Sequence, residues 1–539
     1  MKRLLTFISL LCICLMAFAR QDSCQSTLLR DYQFVKHCDP WLTSRNAAGL
    51  TRFSTKNLAE AELYVNYSVG GLADYYQSPE ALQAGIGIES FYRINRRTVV
   101  YGSVGYDNYT GRRMTGSAFI NPTRKPFDIV EDSLTNEGTK HLDTYRLAGA
   151  FGTDIYRGIS LGANVCYTAA NYAKYKDLRH KNKMMDLELT VGFYAPLTPW
   201  LTVGADYLYH RNTESVSFST YGRDDRIFKS LISYGNFMGK VEQLGNYGFT
   251  EKSREQPMAD DYNGIEAQLH LNILKNLSFY NRFTYMHRRG YFGRKSPYTI
   301  TYTNHSSECY AYEGRLDLRT DRSHHSLRGS VEIENLENNL QSYRELRDSN
   351  DVSYYDYYDP VKAGNRLWVN TAFDYTAQLG IRGELPTWTV KAGLHINRRK
   401  QTAYQYPYLR RQNLRRTEYS LQAERNFVVK QGVLGFLLGF EYAHGSGEPF
   451  DDAEMAVPSD KQTFPPTMDD FLYREYLYLT AAQYRLHAQL KYAFIIPGTQ
   501  VKAHVRTSVS MRKSNTPSEY YVENDCQRSE AMLAIGCTF

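Results

Sequence analysis

Charged side chains recur at every second position in several segments of the chain, and residues with that spacing share one face of a β-strand. One segment carries Glu313, Arg315, Asp317 and Arg319, and the next segment carries Glu332 on the corresponding face. Opposite charges on neighbouring strands pair across the hairpin that joins them. If this face lines a pore, it creates a field across the passage, to which polar and charged solutes respond.

Two later segments carry a mainly basic form of the same pattern. Lys391, His395 and Arg399 lie on one of them, and Lys502 and Arg506 lie on the other. Around a water-filled passage they would form a basic stripe that attracts anionic or polar solutes. The alternative, which we favour, is that these residues only keep the wall hydrated and rigid, because the alternation alone requires polar residues on that face.

The opposite face of such segments is apolar. Residues 265–273 alternate between apolar and polar side chains without interruption, and several other segments have the same pattern. An amphipathic helix would instead repeat its apolar residues at spacings of three and four. The pattern therefore predicts β-strands, each of about 12–15 residues.

The connections between these segments alternate between very short turns and longer polar loops. The longest loops are predicted at 212–261, 339–364 and 445–479. Eight short turns and nine long loops join about eighteen strands, and this asymmetry with an even strand number is typical of outer-membrane barrels. The sequence therefore predicts an all-β fold, a transmembrane antiparallel up-and-down β-barrel of about 18 strands over residues 58–539. A secreted β-sandwich, the alternative, would have shorter strands.

Both ends of the chain predict export to the cell outer membrane. Lys2 and Arg3 precede an apolar run that ends in an A-x-A cleavage site at Ala17–Ala19, so residues 1–19 are predicted to be a signal peptide. The last segment alternates up to the terminal Phe539. This aromatic residue is predicted to be the signal that the barrel-assembly machinery reads.

With its signal peptide, its tyrosine-rich alternating strands over 58–539 and its terminal Phe539, the chain resembles the uncharacterised outer-membrane β-barrel families of Bacteroidota. Tyrosine is the most distinctive component, at 46 residues, and its amphipathic ring suits membrane interfaces and polar lumens. The resemblance covers most of the chain. It implies a Gram-negative cell, with outer-membrane lipids and the barrel-assembly machinery as partners, and it brings no catalytic motif.

The segment between the signal peptide and the barrel, residues 20–57, is predicted to lie in the periplasm or inside the lumen. A short helix is expected around Leu28–Val35. A disulfide between Cys24 and Cys38 is compatible with an oxidising compartment, although their spacing does not establish it. Near the other end of the chain, residues 471–495 are long enough to form one strand that projects beyond the membrane.

Other groups that could do chemistry have simpler interpretations. His324-His325 could bind a metal, but no further ligand follows at a suitable spacing. The run Tyr354–Asp359 could bind a carbohydrate, but we favour a tyrosine-rich outer rim. No catalytic motif is present, so the sequence predicts neither an enzyme nor a cofactor. The mixed charge, +7 in total, does not indicate a nucleic-acid partner.

An eighteen-stranded barrel is too wide for its own side chains to fill, so a hydrated lumen is expected. The predicted function is a porin-like channel for polar small solutes, passive or assisted by other envelope proteins. The alternative is a non-conducting barrel that acts as a surface-binding scaffold or as a subunit of a larger envelope or uptake complex. Loops folded inward, or residues 20–57 lodged in the lumen, would produce that closed state.

Overall fold

The computed structural model describes residues 28–131, 136–221, 227–244, 256–429 and 432–539. The predicted signal peptide and Cys24 lie outside these residues, and so does the predicted Cys24–Cys38 pairing. In the described part of the chain, Cys38, Cys166, Cys309 and Cys526 are free thiols.

One closed sheet of eighteen antiparallel strands makes up most of the molecule. Each strand pairs with the barrel strand before it, and the last strand pairs with the first. The predicted antiparallel up-and-down β-barrel of eighteen strands is therefore confirmed. Numbered together with the strands in the loops, the barrel strands are β1 (Asn57–Val69), β2 (Glu80–Arg93), β3 (Thr98–Met114), β5 (Gly138–Tyr156), β6 (Ile159–Lys174), β7 (Arg179–Thr198), β8 (Leu201–Ser219), β11 (Gln256–Leu274), β12 (Leu277–Gly293), β13 (Thr301–Arg319), β14 (Ser323–Leu340), β17 (Val361–Leu379), β18 (Trp388–Gln405), β19 (Tyr408–Val429), β20 (Gly432–Ser446), β22 (Gln483–Ile495), β23 (Lys502–Ser514) and β24 (Gln527–Thr538).

The barrel strands join through eight connections at one end, which we name the turn end, and through nine at the other, the loop end. They are 12 to 22 residues long, and several exceed the predicted length. At the loop end they continue through segments predicted to be loops. For example, β18 and β19 continue until they meet at Tyr406–Pro407. At the loop end the strands stay paired beyond the band of outward-facing apolar side chains. Both faces of the strands are polar in that part, so the sequence no longer alternates between apolar and polar residues.

Large apolar side chains cover the outer surface of the barrel. Ile265, Leu421 and Leu486 are typical, each more than half exposed, and the side chains between them along each strand face the lumen. Since only alternate residues are apolar, the outer surface suits a bilayer while the lumen stays polar. No helix in the described ranges is long and apolar enough to cross a membrane.

Several loops fold inward and close the loop end of the lumen. A three-stranded sheet forms from β4 (Asp128–Glu131), β9 (Phe228–Ser233) and β10 (Gly239–Leu244). We name residues 71–78, 115–131, 227–244 and 469–480 together the lid. Its apolar side chains pack against inward-facing wall residues, as Phe127 does against Phe292, with ring centroids 4.9 Å apart.

The predicted single strand over 471–495 is wrong. A helix occupies Asp469–Thr480 and β22 begins only at Gln483. Phe471, Leu472 and Glu475 are buried on one side of the helix, and their spacing of one and three residues is helical, not alternating. The remaining loop elements are β15 (Tyr343–Arg347), β16 (Ser353–Tyr357), β21 (Asp451–Glu454) and the 3₁₀ turns Pro122–Arg124 and Val522–Asn524.

Residues 28–53, which we name the inner segment, occupy the turn end of the lumen. They form helix α1 (Tyr32–Cys38), followed by the 3₁₀ turns Pro40–Thr43 and Ala47–Arg52; the helix of the lid is α2 (Asp469–Thr480). The helix expected at 28–35 begins later because the Asp31 side chain caps it, accepting from the Phe34 amide at 2.8 Å.

Removing Phe539 is expected to reduce the yield of folded barrel. Its amide donates to the Ala59 carbonyl oxygen at 3.0 Å, and its carbonyl oxygen accepts from the Ala59 amide at 2.8 Å. Each such bond contributes about 1 kcal/mol. Folded barrel is measured as the fast-migrating species on unheated gels. The variant Phe539→Ala keeps both backbone bonds, so a loss with this variant too would assign the effect to the ring. A normal yield of the truncated chain would contradict a role for the backbone hydrogen bonds of Phe539 and also a role for its ring.

Candidate functional site

A buried tryptophan anchors the inner segment to the wall. The Trp41 side chain is 1 % exposed, and its Nε1–H donates to Nδ1 of His270 at 2.9 Å. The rings of Tyr194 and Tyr280 pack edge-on against it, with centroids 4.9 and 5.4 Å away. Because the large ring is buried and its one N–H is satisfied, Trp41 holds the segment against β7, β11 and β12.

A row of glycines on the inner face of four neighbouring strands makes room for the inner segment. Gly152 pairs with Gly162, and Gly162 lies next to Gly192; the nearby Gly204 continues the row. A Cβ at any of the four would collide with the segment, and at Gly204 it would lie 2.8 Å from the Trp41 ring. Because these four positions have no side chain, the wall has a groove there that fits the inner segment.

Polar contacts complete the attachment of the inner segment. The side-chain nitrogen Nδ2 of Asn46 donates to the Phe193 carbonyl oxygen and to Oε1 of Gln268, both at 2.8 Å. Arg315 of the adjacent strand β13 donates to the His37 carbonyl oxygen at 2.8 Å. On the opposite side of the lumen, Lys502 of β23 donates to the Arg30 carbonyl oxygen at 2.6 Å. The segment is thus bonded to strands on both sides of the barrel.

A polar chamber lies between the inner segment and the lid. It consists of two adjoining cavities of about 720 and 570 Å³ that share Arg282, Glu313 and Arg328 on their walls. The larger cavity reaches from Thr43 of the inner segment to Arg124 of the lid. The smaller one follows α1 towards the turn end. Cavities of this size hold small molecules, so the chamber is the candidate functional site.

The ten charged residues predicted to face the lumen all lie on the inner faces of their strands. Five of them line the chamber: Glu313, Arg315, Glu332, Lys391 and His395. The remaining residues lie nearer the two ends, with Arg399 under the lid and Asp317, Arg319, Lys502 and Arg506 towards the turn end.

Most members of the basic stripe are bound by other groups of the protein. Arg399 forms a bidentate ion pair with Glu475 of the lid, with 2.7 Å to each carboxylate oxygen. The Lys502 ammonium donates to the Arg30 carbonyl oxygen at 2.6 Å. These cations hold the two closing elements in place, which supports the favoured alternative of a rigid, hydrated wall.

Two further members of that stripe differ in how they face the chamber. Arg506 forms an ion pair with Glu62 on the wall. Lys391, by contrast, is exposed to the chamber and forms no ion pair with any described residue. Lys391 is therefore the cation of this set that can interact with a solute in the chamber.

Arginines fix the lid to the wall above the chamber. Arg124 of the lid lies 3.1 Å from Glu332 and 2.9 Å from Glu334, and its guanidinium covers the Trp368 ring with 4.8 Å to the centroid. The wall residue Arg288, 2 % exposed in its side chain, also pairs with Glu334 at 3.1 Å. Removing one partner from such a buried network costs about 3–5 kcal/mol.

Two buried carboxyl groups of the lid have raised pKa values. Burial raises the pKa of Asp74 to about 7, and the nearby charge of Glu475 acts in the same direction. Burial raises the pKa of Asp128 to about 6, even though the hydroxyl groups of Ser117 and Tyr75 donate hydrogen bonds to it. The protonated, neutral forms of these side chains therefore favour the closed lid.

His324 and His325 face opposite sides of the barrel wall, so the pair cannot share a metal ion. His324 lies inside, with Nε2 2.8 Å from Asp317, and His325 lies outside, with Nδ1 2.9 Å from the Tyr375 hydroxyl. In the described ranges no three histidine, cysteine or acidic side chains lie close enough to hold a metal.

The tyrosine-rich run Tyr354–Asp359 lies mainly on the hairpin of β15 and β16. The Tyr357 hydroxyl accepts from the Thr301 amide at 2.8 Å, and the Tyr355 amide donates to the Pro297 carbonyl oxygen at 2.9 Å. The run therefore packs on the neighbouring loop, which supports the rim interpretation over a carbohydrate site.

Sequence reasoning missed the residues that close the lumen. Trp41 and Arg124 lie in segments without strand alternation, so no local pattern marks them. A signal for the docking groove was present: Gly152, Gly162 and Gly204 each lie within a few residues of a short turn and on the polar face of an alternating strand.

A model of the family of unknown function DUF6850 matches residues 47–539. No curated protein matches the chain. Among solved structures, the chain is similar to the ferric preacinetobactin receptor BauA from Acinetobacter baumannii (9 % identity, 90 % of this chain and 81 % of that one, TM-score 0.36). It is similar to the outer membrane transporter YddB from Escherichia coli (8 %, 90 % and 81 %, TM-score 0.39). It is also similar to the RagAB peptide transporter (8 %, 90 % and 86 %, TM-score 0.42).

The substitution Gly162→Val is expected to displace the inner segment without unfolding the barrel. The new side chain would collide with the backbone of Ala48. Burial raises the pKa of the Cys38 thiol in the docked segment, so release should make Cys38 react several-fold faster with a maleimide, as measured by mass spectrometry of its peptide. The control is Gly87→Val, since a Cβ at this inward-facing glycine has no atom within 4 Å. Equal Cys38 reactivity in both variants would contradict the docking role of the groove.

Proposed function

The chain belongs to this family of unknown function, and we propose that the protein is a gated channel of the cell outer membrane for polar small solutes. The single observation that carries the proposal is the polar chamber enclosed between the inner segment and the lid. The chamber leaves room for a small molecule between the two closing elements. No catalytic step is part of this proposal.

The lining of the chamber supports passage of polar solutes over apolar ones. Acidic and basic side chains alternate around it: Arg282 lies 2.9 Å from Glu313, and Arg328 pairs with the same carboxylate at 2.7 Å. A wall of paired charges stays hydrated and offers hydrogen bonds without binding one sign of charge strongly. Unpaired Lys391 adds a weak preference for anions.

The proposed orientation places the loop end outside the cell and the turn end in the periplasm, as in other barrels of this kind. The lid then closes the outer mouth and the inner segment partly closes the inner one. Passage, passive or assisted by another envelope protein, requires the lid to move. Membrane lipids and the barrel-assembly machinery are the expected partners during insertion.

The second candidate function is a non-conducting barrel that serves as a scaffold or as a subunit of an envelope complex. The extent of the lid favours it, because Phe119, Ile129 and Ile232 are almost fully buried there. Opening such an apolar core costs more than moving a polar loop. Conductance separates the two candidates.

The variant Arg124→Gln is expected to increase conductance across planar bilayers. It removes the ion pairs that attach the lid to Glu332 and Glu334 of the wall, so the lid should open more readily. The wild-type protein should be mostly closed. In the Arg124→Gln background, Lys391→Glu should shift the selectivity towards cations.

The matched control is Arg347→Gln. Arg347 pairs at 2.7 Å with Asp351 on its own exposed hairpin, and exposed pairs contribute little, so conductance should stay at the wild-type level. Silence from Arg124→Gln, and from a chain that also lacks residues 20–53, would reject the channel and favour the scaffold.

Conductance is also expected to rise with pH. A carboxyl group with a raised pKa stabilises the closed lid while it is protonated, and this contribution is lost as the pH rises through its folded-state pKa. For Asp74 this is about 7. The variant Asp74→Asn stays neutral and should remove the rise in conductance near pH 7 and leave the one that Asp128 causes near pH 6, whereas Asp356→Asn on the exposed hairpin should keep both. A rise near pH 7 that persists in Asp74→Asn would assign this pH dependence to another group.

A further inference from the structure

Two arginines face each other on the outer surface of the barrel. Arg398 of β18 and Arg415 of β19 are direct partners in the strand register, and both are exposed. Lys400 lies two positions further along β18 on the same face. Like charges directly opposite each other on a sheet are destabilising, so this arrangement calls for an anion that neutralises it.

No described carboxylate neutralises these cations, since none of the three forms an ion pair within 4 Å. Within the described ranges, their one side-chain hydrogen-bond partner is Asn413, whose side-chain oxygen accepts from Nε of Arg398 at 3.3 Å. On another pair of strands near the loop end, an outward-facing arginine has a carboxylate as its register partner. Arg211 lies 3.6 Å from Asp261, its register partner.

A groove of about 500 Å³ surrounds the two arginines on the outer wall. Its polar end is formed by Arg398, Arg415, Asn413 and Ser446, and its apolar end by Val369 and Ile396. Ser446 is the register partner of Arg415 on the next strand. The groove is therefore amphipathic, with hydrogen-bond donors towards the loop end and aliphatic side chains towards the apolar belt.

The height of the groove matches the headgroup level of a bilayer. On the turn-end side of Ile396, the outward-facing residues of β18 are apolar as far as Trp388. On the neighbouring strands, the rings of Tyr419 and Tyr442 stack with centroids 6.4 Å apart, just on the turn-end side of Arg415. Tyrosines mark the membrane–water interface in barrels, and the arginines lie immediately beyond it.

We propose that this groove binds the phosphate of a membrane-lipid headgroup between Arg398 and Arg415. Lys400, Asn413 and Ser446 supply further donors, and an acyl chain lies along Val369 and Ile396. Arginine pairs suit phosphate because each guanidinium offers two parallel N–H groups. The choice of a lipid over free phosphate follows from the aliphatic half of the groove. The inference requires a barrel in a membrane but not a conducting one, so it stands or falls separately from the channel.

The test measures the temperature at which the folded barrel, purified in detergent, loses its fast gel mobility. The probe is lipid A with both phosphates; lipid A without phosphates and sodium phosphate serve as comparisons. Without lipid, Arg415→Gln should be at least as stable as the wild type, because the repulsion with Arg398 is gone. Added lipid A should raise the unfolding temperature of the wild type but hardly that of the variant, with binding weaker by about tenfold or more.

The control variant is Arg211→Gln, which removes an outward arginine that already has a carboxylate partner; its response to lipid A should equal that of the wild type. Arg415→Gln should not lower the unfolding temperature without lipid, but it should reduce the increase that lipid A causes. An arginine with a merely structural role would lower the unfolding temperature in both conditions. An equal response of Arg415→Gln and the wild type to lipid A would overturn the proposal. So would an equal response of the wild type to lipid A without phosphates or to sodium phosphate alone.

Discussion

The pairing of the first barrel strand with the last determines the rest of this structure. Residues Glu60 to Val69 pair with Thr538 to Ser529, so the sheet has no open edge. In a bilayer an unpaired backbone group costs several kcal/mol, and closure is the only way a sheet avoids this. Closure with eighteen strands also fixes the width of the lumen. Side chains alone cannot fill a lumen of that width, and the inner segment and the lid occupy much of the remaining space.

The inner segment and the lid are held in place by different kinds of interaction. The inner segment fits a surface shaped by missing side chains, the glycine row, and is anchored by the buried Trp41. The lid combines an apolar core with arginine–carboxylate pairs such as Arg399–Glu475. Apolar packing and a shape-matched groove hold irrespective of pH. Ion pairs and buried carboxyl groups respond to pH and to solutes, so the lid is the more adjustable of the two closures.

The barrel could be predicted from the sequence because each strand repeats one simple constraint, apolar residues towards lipid and polar residues towards water. The strand count followed from turns as short as Arg157-Gly158, whose local chemistry is visible in the sequence. The inward orientation of residues such as Glu313 and Lys391 followed from the same alternation. All these features depend on residues that are close together in the chain.

What could not be predicted depends on contacts between distant residues. Trp41 contacts His270, 229 positions away, and Arg124 contacts Glu334, 210 positions away; neither pair leaves a local pattern. The lid helix at Asp469–Thr480 was interpreted as part of a strand because its buried face is defined by the other lid loops. The partners of the basic residues could not be predicted for the same reason, since the groups that bind them come from other elements.

The glycine groove has a consequence for the order of events when the protein is made. The inner segment leaves the ribosome before any barrel strand, yet its docking surface is built from β5 to β8 and its tryptophan contacts extend to β12. The inner segment can therefore reach its final position only after at least the first nine barrel strands have been made. Until then the Trp41 side chain has no apolar surroundings, and the early chain needs protection from aggregation during its transit to the membrane.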